Sequence, residues 1–268
     1  MFPFEKSVIS PGDGKRRPND FSKCCIILRS EASVSGDTVS YDLDHGTDVV
    51  IGHGATIVEQ TLDLCLQTMT ANELAIVDIP VFDDASRCDS HIRFELKLLS
   101  FEPACEVHAL KSEELYDRAA QLKDIGTACF KNGNTRVAFL KYGRAQKYLV
   151  CFDVESDSSE RLKADVEKLR CQLYLNLAAC QLQGGNIVAV RDNCSRALSI
   201  EPDNVKGRYR RAQSLMKLGS YREAEQDLRH AVKLEPGNKA VTKLLGTVRE
   251  NLRKEDETLA KAMTKVFS

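Results

Sequence analysis

The sequence predicts two domains, an α+β domain followed by an all-α stack of helix pairs that ends in a capping helix. Three observations predict this fold class. Apolar and polar residues alternate from Ser90 to Phe101, which is the period of a strand with one buried face. From about Glu113 onward the apolar period becomes helical, and this half contains an internal repeat of 34 residues. A length of 268 residues suits two modest domains better than one.

The part of the chain before the repeats divides into a lead-in and a compact domain. Residues 1–21 include the polar, turn-forming segment Pro11–Asp20, which predicts a disordered lead-in. Residues 22–104 contain one predicted helix, over Leu62–Met69. The predicted strands are Cys24–Leu28, Val49–Ile51, Leu74–Val81 and Ser90–Phe101. Several strands with a single helix indicate an α+β domain.

Matched small residues and prolines establish the repeat in the second half. The members of the following pairs are 34 residues apart: Ala178 and Ala212, Ala197 and Ala231, and Pro202 and Pro236. This is the period of the tetratricopeptide repeat (TPR), a helix-turn-helix unit. The small residues lie where paired helices cross closely, and the prolines follow the second helices. We predict three TPRs within residues 112–236, at about 119–152, 171–204 and 205–238.

Two further segments belong to this half. The polar, acidic stretch Cys151–Glu160 accounts for the extra residues between the first and second repeats and predicts an extended loop. Residues 237–268 predict a capping helix, because a stack of repeats exposes an apolar end that a terminal helix must cover. The apolar positions of this helix are Leu245, Val248, Leu252, Leu259, Met263 and Phe267. Its basic residues would also suit calmodulin, an alternative that we favour less.

Five polar residues on the predicted first helices form the candidate binding site: Lys123, Thr127, Asn176, Lys206 and Arg210. Lys123 and Thr127 are four residues apart and share a helix face, as do Lys206 and Arg210. First helices line the concave face of a TPR stack, so all five side chains are expected to point into one groove. Lysine and arginine supply charge-assisted hydrogen bonds to carboxylates, and asparagine can bond a peptide main chain. For any single residue, a solvated helix face is the alternative.

Composition gives little reason to expect other functions. The formal net charge of −1 does not favour nucleic acid as a partner, and no segment has the pattern of a secretory signal or a membrane span. The ten cysteines include no Cys-x-x-Cys pair and no paired Cys/His spacing for zinc. We therefore predict a reduced, cytoplasmic protein, with the nucleus as an additional candidate location, and with no catalytic residues, no metal site and no cofactor.

The helical half resembles the dicarboxylate-clamp TPR domains of large immunophilins and other co-chaperones. The segments that carry the resemblance are Leu122–Lys131, Tyr174–Cys180 and Asn204–Ala212. In that family the clamp holds the C-terminal Met-Glu-Glu-Val-Asp (MEEVD) tail of the ninety-kilodalton heat-shock chaperone. The resemblance implies that Lys123, Asn176, Lys206 and Arg210 occupy clamp positions. Thr127 lies where many clamps have asparagine, which implies one weaker contact to the terminal carboxylate.

The front domain resembles a shortened FKBP-type peptidyl-prolyl isomerase domain, with Val50–Gly54 similar to the family's strand-to-helix approach and Ile92–Phe101 to its final strand. The family twists an X-Pro bond in an aromatic pocket whose floor is usually tryptophan, and this chain contains no tryptophan. The loop before the last strand is reduced to Asp83–Asp89, and only Tyr41-Asp42 matches the family's Phe-Asp pair. The resemblance is therefore greatest to divergent FKBP-like co-chaperones with an inactive isomerase domain.

Together these features predict a monomeric co-chaperone adaptor. Its TPR clamp is expected to bind the C-terminal EEVD-type tail of the ninety- or seventy-kilodalton heat-shock chaperone, and its front domain a client protein. Two alternatives stay open at this point. One is an active FKBP-type proline isomerase, and the other is a TPR scaffold for an unrelated protein partner.

Overall fold

A computed structural model of the chain describes residues 4–30, 46–82, 88–153 and 159–267. The loop Asp83–Asp89, apart from the backbone of its last two residues, and the pair Tyr41-Asp42 lie outside the described residues. The chain forms two compact units. The first comprises Met1–Leu115 and Asp124–Val137, and the second comprises Tyr116–Lys123 and Ala138–Ser268.

A five-stranded antiparallel sheet forms the framework of the first unit. Its strands are β1 (Glu5–Ser10), β2 (Lys23–Ser30), β3 (Thr47–Val50), β4 (Leu74–Phe82) and β5 (Cys88–Glu102), in the spatial order β1-β4-β5-β2-β3. The central strand β5 is the one that alternates most clearly in sequence. Its Phe94, Leu96 and Leu98 are buried, while Glu95 and Lys97 between them are only half-buried.

The helix α1 (Ile57–Leu66) supplies the other side of this core. It begins at a capping box, in which the Thr56 side chain accepts from the Glu59 N–H and the Glu59 carboxylate accepts from the Thr56 N–H. Such a cap stabilises a helix by about 1 kcal/mol. The cap explains why the helix begins five residues before Leu62, the first residue of the predicted helix. Leu62, Cys65 and Leu66 are buried in the core cluster with the sheet residues.

The predicted disordered lead-in is wrong for its first part, because β1 pairs with β4 from Glu5 to Ser10. The sequence did not indicate this strand, because β1 lies at the sheet edge and most of its side chains are exposed, so it needs no apolar alternation. Main-chain pairing and an ion pair hold it instead. Lys6 Nζ lies 2.9 Å from Glu73 Oε1 and also donates to the Thr68 carbonyl.

Seven helices make up the described part of the second half: α2 (Ser112–Lys131), α3 (Thr135–Val150), α4 (Glu160–Gln183), α5 (Ile187–Ile200), α6 (Val205–Lys217), α7 (Tyr221–Leu234) and α8 (Lys239–Phe267). A short 3-10 turn at Val107–Ala109 precedes them. Each helix from α4 to α8 packs against the next, and α6 also contacts α4 and α8. The predicted fold class, an α+β domain followed by TPR helices and a capping helix, is confirmed.

Glycines and alanines mark the repeat in three dimensions. Gly133, Gly185 and Gly219 have positive φ angles of 85°, 75° and 79°, and each lies in the turn between the two helices of a pair. Only glycine adopts this left-handed conformation without strain, so the same turn recurs in every pair. The matched small residues are fully buried: Ala178, Ala197, Ala212 and Ala231. They allow the close helix crossings that the 34-residue period predicts.

Only the first half of α8 acts as the expected cap. Val241, Leu245 and Val248 are buried in one cluster with residues of α6 and α7. Leu259 and Met263, which were expected to continue this face, are 56% and 55% exposed. The reason is length, since α8 has 29 residues and α7 only 14, and a helix rises about 1.5 Å per residue. The end of α8 therefore extends beyond the helices that it covers.

The nine cysteines that the structure describes are all free thiols. Burial raises the pKa of Cys24, Cys65 and Cys194 to about 12, so these thiols stay protonated and pack as small apolar groups. No described helix has an apolar stretch long enough to cross a bilayer.

Candidate peptide-binding site

The helix α2 carries the first two predicted site residues. Lys123 and Thr127 are both half-buried and lie one helical turn apart. Leu122 and Gly126, next to them in sequence, are buried, so Lys123 and Thr127 lie at the edge of the buried face of the helix. Lys123 belongs to the second unit and Thr127 to the first.

The junction of α4 and α6 carries the other three predicted site residues. Asn176 is half-buried on α4 beside the buried Leu175. Arg210 on α6 donates from Nη1 to the Leu175 carbonyl at 2.8 Å, which brings its guanidinium to the residue before Asn176. Gly207 permits this close approach, because a Cβ there would lie 3.3 Å from both Leu175 Cδ2 and Leu198 Cδ2. The structure thus brings Arg210 to the part of α4 that carries Asn176.

Lys206 and Arg210 form a small centre of positive charge on α6. Neither residue makes an ion pair within the described part of the chain. The repulsion of Arg210, followed by partial burial, lowers the pKa of the Lys206 ammonium. Burial lowers the pKa of Arg210, and this effect is only partly opposed by Cys194, Cys180 and Tyr142. Two neighbouring cations create a positive electrostatic potential at this surface. An anionic ligand would neutralise that potential and reduce the repulsion between the two side chains.

The front unit contains a cleft of about 370 Å³ between β3 and α1. Three carboxylates line it, those of Asp48, Glu59 and Asp63, together with apolar residues such as Ile26 and Leu66. Asp63 is buried and accepts hydrogen bonds from the Gly52 N–H at 2.9 Å and from Gln60 Nε2 at 3.3 Å. Among the described residues that line this cleft, none is phenylalanine, tyrosine or tryptophan.

Comparisons with known proteins decide the family. A tetratricopeptide-repeat family profile matches residues 205–238, the bounds of the third predicted repeat. The mouse protein named FK506-binding protein-like is 30% identical over 271 residues, a match that covers 99% of this chain and 71% of the mouse protein. The chain belongs to the FKBP-type immunophilins with a C-terminal TPR domain. The predicted family resemblance is thereby confirmed.

Other relatives of this immunophilin agree with the assignment. Human peptidyl-prolyl cis-trans isomerase FKBP4 is 30% identical over 262 residues, covering 93% of the chain but only 55% of the human protein. The immunophilin thus spans about half the length of that relative. A crystal structure of residues 1–211 of CG17282 superposes with a TM-score of 0.59 and 26% identity, covering 69% of this chain and 91% of that one. The C-terminal TPR-containing domain of an FK506-binding protein from Plasmodium falciparum has the same fold, with a TM-score of 0.53, 24% identity and coverage of 57% and 99%.

Sequence reasoning missed the ion-pair network beside the candidate site of the immunophilin. Asp227 on α7 is 3% exposed and accepts from Arg211 Nε at 2.7 Å and Nη2 at 2.6 Å, and from Arg208 Nη1 at 3.1 Å. The hydrogen bonds with Asp227 raise the pKa of Arg211, opposite in direction to its neighbour Arg210. The sequence does contain one signal of this network, because Asp227 lies within the apolar face that Ala224, Leu228 and Ala231 form.

The structure thus places the five predicted site residues in two groups. Lys206 and Arg210 interact with each other, and Arg210 reaches the segment that holds Asn176. Lys123 and Thr127 share one face of α2, as the spacing predicts. That all five converge on one ligand stays a prediction.

Proposed function

We propose that this immunophilin is a co-chaperone adaptor whose TPR groove clamps the C-terminal EEVD-type tail of the ninety- or seventy-kilodalton heat-shock chaperone. One observation carries the proposal: Lys206 and Arg210 lie one turn apart on α6, and neither has a carboxylate partner within the described residues. A peptide tail with several carboxylates would supply the missing counter-charge.

Each of the candidate residues has an expected role. Arg210 uses Nη1 for the Leu175 carbonyl, and a guanidinium has five N–H donors, so further donors can face a peptide carboxylate. Lys123 and Lys206 would act as point charges, and Asn176 would bond the peptide main chain or its terminal carboxylate. Thr127 can donate a single hydroxyl hydrogen bond where an asparagine amide has two donors, so we expect one weak contact.

Fluorescence polarisation with a labelled MEEVD-ended peptide tests the clamp. We expect a dissociation constant near micromolar, about −8 kcal/mol, and a loss of about 100-fold in the Lys206→Ala/Arg210→Ala variant. Lys217→Ala is the matched control, since Lys217 is an exposed lysine of the same helix. A C-terminally amidated peptide should bind more weakly, and added salt should weaken binding through screening. Unchanged affinity in the double variant would exclude this clamp.

The same titration separates the proposal from its rivals. Peptides with the tail sequences of both chaperones, compared side by side, show which tail the groove prefers. If neither tail peptide binds while affinity capture recovers a different protein, the hypothesis of a TPR scaffold for an unrelated partner replaces the co-chaperone hypothesis. A client for the front domain, a cytoplasmic location and a monomeric state are part of the same proposal, and sedimentation velocity tests the last of these.

We further propose that the front domain has little or no proline isomerase activity. Isomerases of this family favour the twisted amide in a dry aromatic pocket. The cleft between β3 and α1 instead presents the carboxylates of Asp48, Glu59 and Asp63, and no phenylalanine, tyrosine or tryptophan among the described residues that line it. Carboxylates keep water in a cleft and would not favour the less polar amide. A protease-coupled proline-peptide assay on the whole chain tests this, and acceleration above the uncatalysed rate would restore the isomerase alternative.

A further inference from the structure

Lys206 lies in the first turn of α6, two residues after the N-cap Asn204. The Asn204 side chain accepts from the Gly207 N–H at 2.9 Å, so a cap fixes this turn. Lys206 is exposed, and a small molecule in solution can therefore reach its amino group. A cation at this end of a helix meets the positive end of the helix dipole, which disfavours the charged form of the side chain.

A second cation lies one turn further along α6. Arg210 is held in place there, because its Nη1 donates to the Leu175 carbonyl at 2.8 Å. Repulsion from Arg210, followed by partial burial, lowers the pKa of Lys206, and the described residues offer Lys206 no carboxylate partner. At neutral pH a larger fraction of Lys206 than of an ordinary surface lysine is therefore the neutral amine.

The neutral amine is the form of a lysine that reacts as a nucleophile. Proteins activate lysines in this way by placing a second cation next to them. The cations of Lys206 and Arg210 also create a positive potential that attracts anions to this surface of α6. An activated acyl group on an anionic leaving group combines both requirements, and acyl phosphates and acyl thioesters of coenzyme A are donors of this kind.

We propose that Lys206 is an acylation site for such anionic acyl donors, and that acylation weakens the tail clamp. The modification itself depends only on the placement of Lys206 and Arg210 on α6. Its regulatory consequence rests on the function proposed above.

The reaction needs no reactant besides the donor. The lone pair of Nζ attacks the carbonyl carbon of the donor and a C–N amide bond forms. The C–O bond of the acyl phosphate, or the C–S bond of the thioester, breaks. The leaving phosphate or thiolate keeps the bonding electron pair, and the proton that the nitrogen loses passes to the leaving group or to water.

The product is a neutral amide in place of an ammonium group. It keeps one N–H donor but no longer supplies a charge to a carboxylate of the tail. Since hydrogen bonds to charged groups are the strong ones, loss of this charge should weaken binding of the MEEVD-ended peptide about tenfold.

Acetylation of the whole chain by acetyl phosphate at neutral pH, followed by peptide mass spectrometry, tests the site. Lys217 is the internal control, because it is an exposed lysine in the last turn of the same helix. We expect Lys206 to react about fivefold faster than Lys217. Equal rates at the two lysines would overturn the proposal.

Three further conditions make this test specific. Acetyl-coenzyme A should show the same preference, and a preference with only one of the two anionic donors would identify that donor as the source. The neutral donor 4-nitrophenyl acetate should discriminate less between the two lysines, because it is not attracted by the cations. Arg210→Gln should slow acetylation of Lys206 about threefold, and Arg210→Lys should restore most of the rate. An unchanged rate in Arg210→Gln would refute activation by Arg210.

Fluorescence polarisation tests the regulatory consequence. Treatment with acetyl phosphate should weaken binding of the MEEVD-ended peptide to the wild-type protein, and it should have little effect on Lys206→Arg, which keeps the charge without the reactive amine. An equal loss of affinity in Lys206→Arg would refute regulation through Lys206. Preferential acylation of Lys206 in a protein that binds no tail peptide would refute the clamp and its regulation, whereas the modification site itself would be confirmed.

Discussion

In the sheet unit, the Lys6 ammonium lies 2.9 Å from the Glu73 carboxylate, and the buried Asp63 accepts from the Gly52 N–H. In the helical unit, Lys206 and Arg210 repel one another, and the described residues offer neither a carboxylate. Charge in the first case is paired within the fold, whereas the charges of Lys206 and Arg210 have no carboxylate partner among the described residues. The comparison teaches that a cation whose pKa is lowered by a like charge, as at Lys206, is a better candidate for a binding residue than a cation chosen from a count of charges.

The same contrast occurs between two adjacent residues of α6. Arg211 is paired with the buried Asp227, and hydrogen bonds raise its pKa. Arg210 has a pKa lowered by burial and bonds only a backbone carbonyl among the described groups. Arg211 therefore joins α6 to α7, and Arg210 is the candidate for ligand binding.

The largest expected effect comes from breaking the paired arginine. Asp227→Ala leaves Arg208 and Arg211 without their buried carboxylate and should lower the free energy of unfolding by about 3 kcal/mol. Urea denaturation measures this, with Asp192→Ala as the control because Asp192 forms only an exposed pair with Arg191. Equal stability of the two variants would show that the network contributes little to the fold.

Two glycine-to-alanine variants, one in each unit, should change stability in opposite directions. A Cβ on Gly12 would lie 2.3 Å from the Ala71 carbonyl oxygen and 2.7 Å from the Glu73 nitrogen, so Gly12→Ala should destabilise the sheet unit by about 2 kcal/mol. Gly246 on α8 has open space around it, and Gly246→Ala should stabilise the helix by about 0.5–1 kcal/mol. Thermal unfolding of both variants checks that their stability changes have opposite signs. An unchanged stability in Gly12→Ala would contradict the close approach of position 12 to the main chain of Ala71 and Glu73.

Acid should weaken the sheet unit through Glu73. Burial alone would raise the pKa of this carboxyl, but hydrogen bonds from Lys6 and Thr70 hold it below the ordinary value of 4.5. A lowered folded pKa contributes stability that is present above pH 4.5 and is lost as the pH falls through the folded value. Glu73→Gln should cost about 1 kcal/mol at neutral pH and flatten this acid loss. Amide exchange of β1 between pH 3 and pH 7 measures both effects. If Glu73→Gln left the exchange profile unchanged, the Lys6–Glu73 pair would not contribute to the stability of the sheet unit.

The smallest expected effect is a gain in stability. Lys206→Gln removes the repulsion from Arg210 and should stabilise the unliganded protein by about 0.3 kcal/mol, while it weakens binding of the tail peptide. Because the pKa of Lys206 is lowered, an anionic peptide should raise it again, which a pH titration of the lysine Nζ resonance would follow. A loss of stability in this variant would mean that Lys206 has a structural partner, against the contrast drawn above.

By itself the sequence determined the elements whose signal is local. The period of two in β5, the 34-residue repeat and the spacing of Lys206 from Arg210 all depend on residues near each other in the chain. These patterns were sufficient to predict the fold class, the TPR family and the candidate site residues, because helical and strand periodicity follow from backbone geometry alone.

Only the tertiary structure decided the features that depend on residues distant in sequence. The edge strand β1 has little apolar pattern of its own and exists because β4 offers main-chain partners. The different roles of Arg210 and Arg211 could not be read from two adjacent identical residues, because the partners Leu175 and Asp227 come from other helices. Packing assigns each side chain its neighbours, and a neighbour decides whether a charge stabilises the fold or remains available to a ligand.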